Sequence, residues 1–147
     1  MGKLPGFLSR LFGSACPASS PTTELGRRGE AAAARLLKDK GYKVLERNFR
    51  VRQGEIDLVV FRDGVLVFVE VRAQTEPAMI DPLRTITRGK QRRVIKAAQT
   101  YLTVKKFPAT DVAPRFDVVS VLFDRAGRPA ETKHVEGAFQ VSSKGFS

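Results

Sequence analysis

The chain has 147 residues, of which 42% are hydrophobic and 28% charged, which indicates one folded domain and is too short for two large ones. The single cysteine, Cys16, excludes an internal disulfide and a cysteine-based zinc cluster, and no run of about 20 apolar residues is present to span a membrane. With 26 Lys and Arg against 15 Asp and Glu, the net charge of +11 favours a polyanionic partner, nucleic acid ahead of anionic lipid.

Residues 1–23 differ in composition from the rest of the chain. They contain Lys3 and Arg10 but no acidic residue, and three of the eight prolines. Arg10 interrupts the partly apolar stretch Leu4–Phe12, which leaves no clean apolar core for a signal peptide. We therefore expect a flexible basic tail over 1–23, one folded domain over 24–147, and a cytoplasmic protein.

The remaining elements follow from apolar periodicity and from turn residues. Asp63-Gly64 is a typical hairpin signal, and Thr22 or Thr23 and Thr87 are suitable helix caps. The order helix, three strands, helix, strand predicts an α/β sandwich whose second helix crosses over between the third and fourth strands. The predicted elements are a helix from 22 to 41, strands Tyr42–Phe49, Gly54–Phe61 and Val65–Val71, a helix from Arg88 to about Val104, a strand Arg115–Phe123 and a weaker strand Thr132–Val135.

Acidic residues inside strands are the most informative ones, because Asp and Glu are depleted in strands and are costly to bury. Glu55 and Asp57 share one face of the second strand, and Glu70 lies on the third. Pairing about the Asp63-Gly64 turn places Asp57 opposite Glu70. Like charges in that position are destabilising unless a cation lies between them, and carboxylate oxygens suit a hard divalent ion. The alternative is that each acid pairs with a neighbouring arginine in an ion-pair network.

A basic segment follows the third strand. Residues 84–106 hold eight Lys or Arg and no acid, and four of these cations are spaced by four, as one stripe of a helix. Like charges at that spacing repel, so an all-positive stripe favours contact with a polyanion. The absence of Trp favours a duplex or branched backbone over single-strand stacking. As the partner we expect DNA ahead of RNA. The predicted contact residues are Arg84, Arg88, Arg92, Arg93 and Lys96, extended by Arg47, Arg50 and Arg52 in a loop before the second strand.

Several of these residues together resemble a known pattern. Glu30, Asp57 and Glu70-Val71-Arg72 are similar to the helix acid, strand Asp and E-x-K element of the PD-(D/E)XK nucleases, which share a restriction-endonuclease-like core. A closer resemblance, over about Gly26 to Val119, is to the YraN-type uncharacterised bacterial family, itself similar to Holliday junction resolvases. The matching stretches are Gly29-Glu30, Gly41-Tyr42, Arg47 to Arg50, Gly54 to Leu58, Phe68 to Val71, Lys90 to Arg93, Ala97-Ala98, Tyr101-Leu102 and Arg115 to Val118.

The resemblance implies a mixed central sheet flanked by helices and a metal-dependent endonuclease-like activity on DNA, including branched or junction DNA. Asp57 and Glu70 would bind Mg²⁺ or Mn²⁺, and Glu30 would do so directly or through water. Holliday junction resolvases act as dimers, which makes a homodimer an expectation here.

One departure concerns the family's usual lysine, which is Arg72 in this chain. Arginine supplies charge to a phosphate but stays protonated and cannot act as a base. Lys90, at the start of the second long helix, would replace the lysine if the helix directs it to the site. The substitution also leaves two alternatives open: a nucleic-acid-binding module that kept the nuclease fold without cleaving, and an assembly factor associated with RNA or the ribosome.

Two further residues are interpreted as structural. His134 is the only histidine and lies late in the chain. Asp117 is two residues from Arg115, and we expect these two side chains to form an ion pair.

Overall fold

The computed structural model describes residues 23–107 and 113–141. The predicted tail, apart from Thr23, lies outside these residues, as does Cys16. Helices α1 and α2 and strands β1 to β5 follow one another in the predicted order. Their bounds are α1 Glu24–Asp39, β1 Lys43–Val51, β2 Gly54–Arg62, β3 Val65–Thr75, a short 3-10 helix Pro82–Thr85, α2 Arg88–Val104, β4 Ala113–Phe123 and β5 Pro129–Phe139.

The five strands form one mixed sheet in the order β1-β2-β3-β4-β5. Strands β1, β2 and β3 are antiparallel neighbours, β3 and β4 are parallel, and β4 and β5 are antiparallel. Helix α2 supplies the crossover that a parallel pair requires. The α/β class is therefore confirmed, and the architecture is consistent with the restriction-endonuclease-like core that the sequence resembles.

The two helices cover opposite faces of the sheet. On one face, Ala33 and Leu37 of α1 pack in a core with Val67 of β3, and on the other face Val94 and Tyr101 of α2 pack in a second core. Strand β3 is nearly all apolar because it is covered on both sides. Each fully buried aliphatic or aromatic side chain stabilises this arrangement by about 1.5–3 kcal/mol.

Threonine caps begin both helices. The Thr23 side chain accepts a hydrogen bond from the backbone N–H of Gly26 at 3.1 Å, and that of Thr87 accepts one from the N–H of Lys90 at 3.1 Å. Each cap satisfies one of the first amide groups of its helix, which have no partner within the helix. The cap at Thr87 fixes the first residue of α2 at Arg88, as predicted.

Two predictions about position were wrong, and a third, that Arg84 joins the stripe of α2 if the helix begins early enough, did not have its condition met. Strand β5 extends over eleven residues and not four, because an edge strand can be held by backbone pairing to β4 while exposing charged side chains such as Glu131. Arg84 lies in the 3-10 helix and so does not continue the stripe of α2. Arg47 and Arg50 lie on β1, which runs to Val51, and not in a loop.

None of the helices in the described part of the chain is long and apolar enough to cross a membrane.

Candidate functional site: carboxylates at a fork in the sheet

The predicted acids lie where strands β2 and β3 separate. The ladder between these strands pairs Arg62 with Val65 at the turn and ends at Leu58 opposite Val69. Beyond that point β2 continues to pair with β1, and β3 continues to pair with β4 as far as Thr75. The sheet is therefore forked, and the residues that follow the last β2–β3 pair line the opening of the fork.

Asp57 and Glu70 are the first residues of the fork. The register of the ladder is the one that the Asp63-Gly64 turn predicted, and it brings these two residues next in line on their strands. One carboxylate oxygen of Asp57, Oδ2, accepts a hydrogen bond from the backbone N–H of Val71 at 2.8 Å. Val71 has no backbone partner on β2, and the Asp57 carboxylate accepts the hydrogen bond of its N–H group instead.

Both carboxylates are largely removed from water. Glu70 is only 3% exposed, and Asp57 is half-buried. Burial raises the pKa of Asp57 well above its ordinary value, and the neighbouring Glu70 and Glu30 raise it further, against the Val71 hydrogen bond and Lys90, which lower it. Negative charge is therefore unfavourable at Asp57 unless a cation compensates it.

Glu30 of α1 completes the acidic cluster from the helix side. Burial raises its pKa, and Glu55 and Glu70 contribute to the increase. The side chain of Asn48 on β1 forms a hydrogen bond with the Glu30 carboxylate, which lowers the pKa in part. Asn48 has a left-handed backbone with φ of 51°, a conformation that Asn tolerates better than most residues.

The backbone of α1 approaches the sheet closely enough to place Glu30 at the fork. A Cβ atom at the neighbouring Gly29 would lie 2.7 Å from the Cβ atom of Ala73 on β3, closer than real side-chain atoms come. Glycine is therefore required for this approach. The contact fixes Glu30 one residue away from the point where helix and strand touch.

Two cations approach Glu70. The Nζ atom of Lys90, from the first turn of α2, lies 2.6 Å from Glu70 Oε1, and the Nε atom of Arg72 lies 3.7 Å from the same oxygen. Arg72 also donates a hydrogen bond to the backbone carbonyl of Thr85 at 3.3 Å. The helix thus directs Lys90 to the acidic cluster, as the sequence analysis required of a replacement for the family's lysine.

The acidic cluster offers donor atoms that suit a divalent metal ion. Asp57, Glu70 and Glu30 offer only carboxylate oxygens, which are the ligands Mg²⁺ and Mn²⁺ prefer, and a small number of them with waters is typical of Mg²⁺. Burial first, and then the neighbouring carboxylates, raise the pKa of Asp57, so a bound cation would favour its charged form. In residues 23–107 and 113–141, no three His, Cys, Asp or Glu side chains converge as a complete ligand set. The donors therefore fit the ion in chemical kind.

The predicted basic residues lie on three elements, α2, the 3-10 helix and β1. Arg88, Arg92 and Lys96, named here the helical stripe, lie exposed on α2 at a spacing of four. Arg84 and Arg93 are exposed as well, and Arg47 on β1 is exposed. Arg50 is half-buried and pairs with Glu55 at 3.2 Å.

A second charged network lies apart from the fork. Arg115 donates two hydrogen bonds of 2.8 Å to the fully buried carboxylate of Asp117, as predicted, and the Nε2 atom of His134 lies 2.7 Å from it. The backbone N–H of Gly137 donates a fourth bond at 3.0 Å. Burial alone would raise the pKa of Asp117, but the bonds from His134, Arg115 and Gly137 outweigh it and lower the pKa. The network joins β4 to β5 and supports a structural role for His134.

Two residues of the cluster were not assigned to the site from sequence. Asn48 belongs to a stretch that resembles the family, but no role followed from it; its position inside a strand, where Asn is disfavoured, is the signal that could have found it. Glu55 was placed on the correct strand, and its proximity to Glu30 depends on how α1 packs.

Comparison with known proteins gives a single family. Residues 29–121 match the model described as "Uncharacterised protein family UPF0102". A "UPF0102 protein" of Chlorobium chlorochromatii (strain CaD3) is 48% identical over 124 residues, which covers 82% of this chain and 94% of that protein. One of Pelotomaculum thermopropionicum is 49% identical over 115 residues, covering 78% and 94%. One of Myxococcus xanthus (strain DK1622) is 41% identical over 118 residues, covering 80% and 90%.

Proposed function

We propose that this chain, which belongs to the uncharacterised protein family UPF0102, the family of the YraN-type proteins, is a metal-dependent endonuclease that acts on DNA phosphodiesters. The observation that carries the proposal is the contact of 2.6 Å between Lys90 Nζ and Glu70 at the forked strands. Two strand acids and a lysine then lie at the fork, and the helix acid Glu30 is close enough to influence the pKa of Asp57. This is the set of groups that the resemblance to PD-(D/E)XK nucleases implies, with the lysine supplied by α2.

Each residue has a distinct role in this proposal. Asp57 and Glu70 would hold Mg²⁺ or Mn²⁺, with Glu30 contributing directly or through water. When bound, such an ion lowers the pKa of a water molecule and stabilises the negative charge that develops at phosphorus.

The two cations act on the substrate. The Lys90 ammonium group is a compact charge at the mouth of the fork, where it would neutralise a phosphate oxygen of the cleaved group. The Arg72 guanidinium group is planar and donates a hydrogen bond to the backbone carbonyl of Thr85. It would contact a phosphate oxygen, but it stays protonated and so transfers no proton.

A second candidate function is a nucleic-acid-binding module that does not cleave. The observation that favours it is that Glu70 already has two cationic neighbours, Lys90 and Arg72. A carboxylate neutralised by two cations is also what the ion-pair alternative predicted. This module would use the same basic surface and would bind nucleic acid with or without a divalent metal.

The experiment that separates the two functions measures cleavage of branched, duplex and single-stranded DNA, and of matched RNA, with Mg²⁺, with Mn²⁺ and with chelator. We expect metal-dependent cleavage of DNA that Lys90→Ala reduces by about 100-fold or more, because a misplaced or missing charge at the reacting phosphate has effects of that order. Lys38→Ala is the matched control, since Lys38 is an exposed lysine of α1 that lies outside the basic surface named above. Arg72→Lys should not increase cleavage, because Lys90 already supplies the lysine charge.

Other outcomes assign the function differently. Cleavage that Lys90→Ala leaves intact and that Arg72→Lys increases would return the lysine role to position 72. Tight binding with no cleavage by the natural protein or by either variant, across all metals and substrates, would leave the binding module as the function. Preference for structured RNA without cleavage would favour an RNA-associated assembly factor.

A further inference from the structure

A cleft of about 340 Å³ lies beside the acidic cluster, between the turn that joins β1 to β2 and the first half of α2. Its lining includes four cationic side chains, Arg50, Arg52, Lys90 and Arg93, and one carboxylate, Glu55. The charge of the lining is therefore positive, although the carboxylates of the neighbouring fork are negative. A cleft of this sign suits an anion.

The cations of the cleft are only partly compensated within the protein. Arg50 pairs with Glu55 at 3.2 Å, and Lys90 pairs with Glu70 at 2.6 Å. Arg52 and Arg93 are exposed, and within the described part of the chain no carboxylate forms an ion pair with either of them. These two guanidinium groups therefore supply the charge that an anion in the cleft would neutralise.

Direct backbone packing holds the two walls of the cleft together. A Cβ atom at Gly54 would lie 2.3 Å from the carbonyl oxygen of Arg93 and 2.8 Å from its carbonyl carbon. Only glycine allows strand and helix to approach this closely. The backbone of Arg93 is thus fixed against the end of the β1–β2 turn that carries Arg52, so backbone packing sets the two walls of the cleft before any ligand binds.

Lys90 connects the cleft to the fork. It lines the cleft and also contacts Glu70, and the acidic Glu55 of the cleft influences the pKa of Glu30 across the fork. A nucleic-acid backbone that presents one phosphate at the fork therefore has neighbouring phosphates on the side of the cleft. Arginine is well suited to this contact, because its planar group donates two parallel hydrogen bonds to phosphate oxygens.

We infer that the cleft between the β1–β2 turn and α2 binds a backbone phosphate of the nucleic acid beside the phosphodiester at the fork, with Arg52 and Arg93 as its ligands. This inference rests on the proposed function, because the fork defines which phosphate is the neighbouring one. It assigns a role to Arg52 and Arg93 that differs from that of the helical stripe. The stripe contacts the backbone along α2, whereas the cleft fixes one phosphate and so the register of the strand at the fork.

The test uses a branched DNA, whose junction fixes the position of the bound protein, with one phosphate at a time replaced by a neutral methylphosphonate. Binding is measured without metal for the natural protein, for the double variant Arg52→Gln with Arg93→Gln, and for a matched control, Arg35→Gln with Lys38→Gln, two exposed cations of α1. We expect one or two adjacent substitutions to weaken binding of the natural protein by about tenfold, the effect of losing one charged hydrogen-bond contact. The double variant should bind unmodified DNA correspondingly more weakly and should no longer respond to those positions.

The outcomes distinguish the cleft from the nuclease proposal. A positional effect that the double variant retains, or an equal effect at every position in the natural protein, would overturn the inference even if the protein cleaves DNA. A positional effect that the double variant loses, in a protein that cleaves nothing, would support the cleft and count against the nuclease. A control variant that loses the positional effect as well would overturn the inference, because the loss would then follow from net charge alone.

Discussion

Replacing Asp57 by asparagine should stabilise the protein in the absence of metal. The side chain keeps its shape and can still accept the hydrogen bond from the Val71 N–H, which is 2.8 Å long in the natural protein. What is lost is a half-buried negative charge beside Glu70 and Glu30, whose influence already raises the pKa of Asp57. Opposed like charges on neighbouring strands cost roughly 0.2–1 kcal/mol. We therefore expect a melting temperature about 1–4 °C higher for a chain of this length.

Metal should reverse this order. If Asp57 and Glu70 share a divalent ion, the natural protein gains about 1.4 kcal/mol of stability when the metal is at tenfold its dissociation constant, because the ion binds the native state alone. That gain corresponds to a rise of roughly 4–7 °C. Asp57→Asn removes a ligand charge and should gain little. The natural protein is then the more stable of the two with metal and the less stable without it.

The assay is thermal unfolding followed by calorimetry or fluorescence, first with chelator and then over a titration of Mg²⁺ or Mn²⁺ at constant ionic strength. Glu131→Gln serves as the control and should follow the natural protein. Glu131 is exposed on β5, which is two strands away from β3 in the sheet. Two results would refute the reasoning. An asparagine variant that is less stable than the natural protein in chelator would refute the like-charge argument, and equal stabilisation of both by metal would exclude Asp57 as a ligand.

Two further predictions concern binding and stability. Replacing the three residues of the helical stripe by glutamine should reduce the slope of log affinity for duplex DNA against log salt by about 2.7, since each lost phosphate contact contributes roughly 0.9. If replacing Arg35, Lys38 and Lys43 instead reduces the slope by the same amount, a specific role of the stripe is refuted. Asp117→Asn should destabilise by about 1.5–3 kcal/mol in urea unfolding, because the half-buried Arg115 loses a charged hydrogen-bond acceptor. Since the folded pKa of Asp117 is lowered, its contribution is complete above the unfolded value of about 3.9 and is lost as the pH falls through the folded pKa. The natural protein should therefore lose stability in acid more steeply than the variant, and parallel acid profiles would contradict this.

The predictable part of the site depends on local chain geometry. An Asp-Gly turn fixes the register of the hairpin that it closes, and a strand presents its side chains with a period of two. These two rules were enough to place Asp57 beside Glu70 and Arg72 on the same face as Glu70. In the structure, the Nε atom of Arg72 lies 3.7 Å from the Glu70 carboxylate. Both helix starts were predictable for a similar reason, because a threonine cap acts within three residues of itself.

The part that could not be predicted depends on contacts between distant segments. That β2 and β3 separate after Leu58 and Val69 follows from their pairing with β1 and β4, and no local pattern records it. The hydrogen bond between Asn48 and Glu30 joins a strand to a helix 18 positions earlier in the chain, across a packing contact. Strand β5 was underestimated because an edge strand is stabilised by its partner's backbone and shows weak apolar alternation of its own.

The position of Lys90 gives a physical reason for arginine at position 72. A lysine at position 72 of β3 would also reach Glu70. It has no planar guanidinium group, so it could not bind the segment before α2 in the way that Arg72 does. Arg72 does both, because one nitrogen lies 3.7 Å from the Glu70 carboxylate while another donates to the carbonyl of Thr85, two residues before the cap Thr87. The arginine thereby links β3 to the segment that precedes α2, the helix whose Lys90 lies 2.6 Å from Glu70. If Lys90 supplies the charge that the resemblance expects from β3, Arg72→Lys should weaken this link without adding a charge that the site lacks.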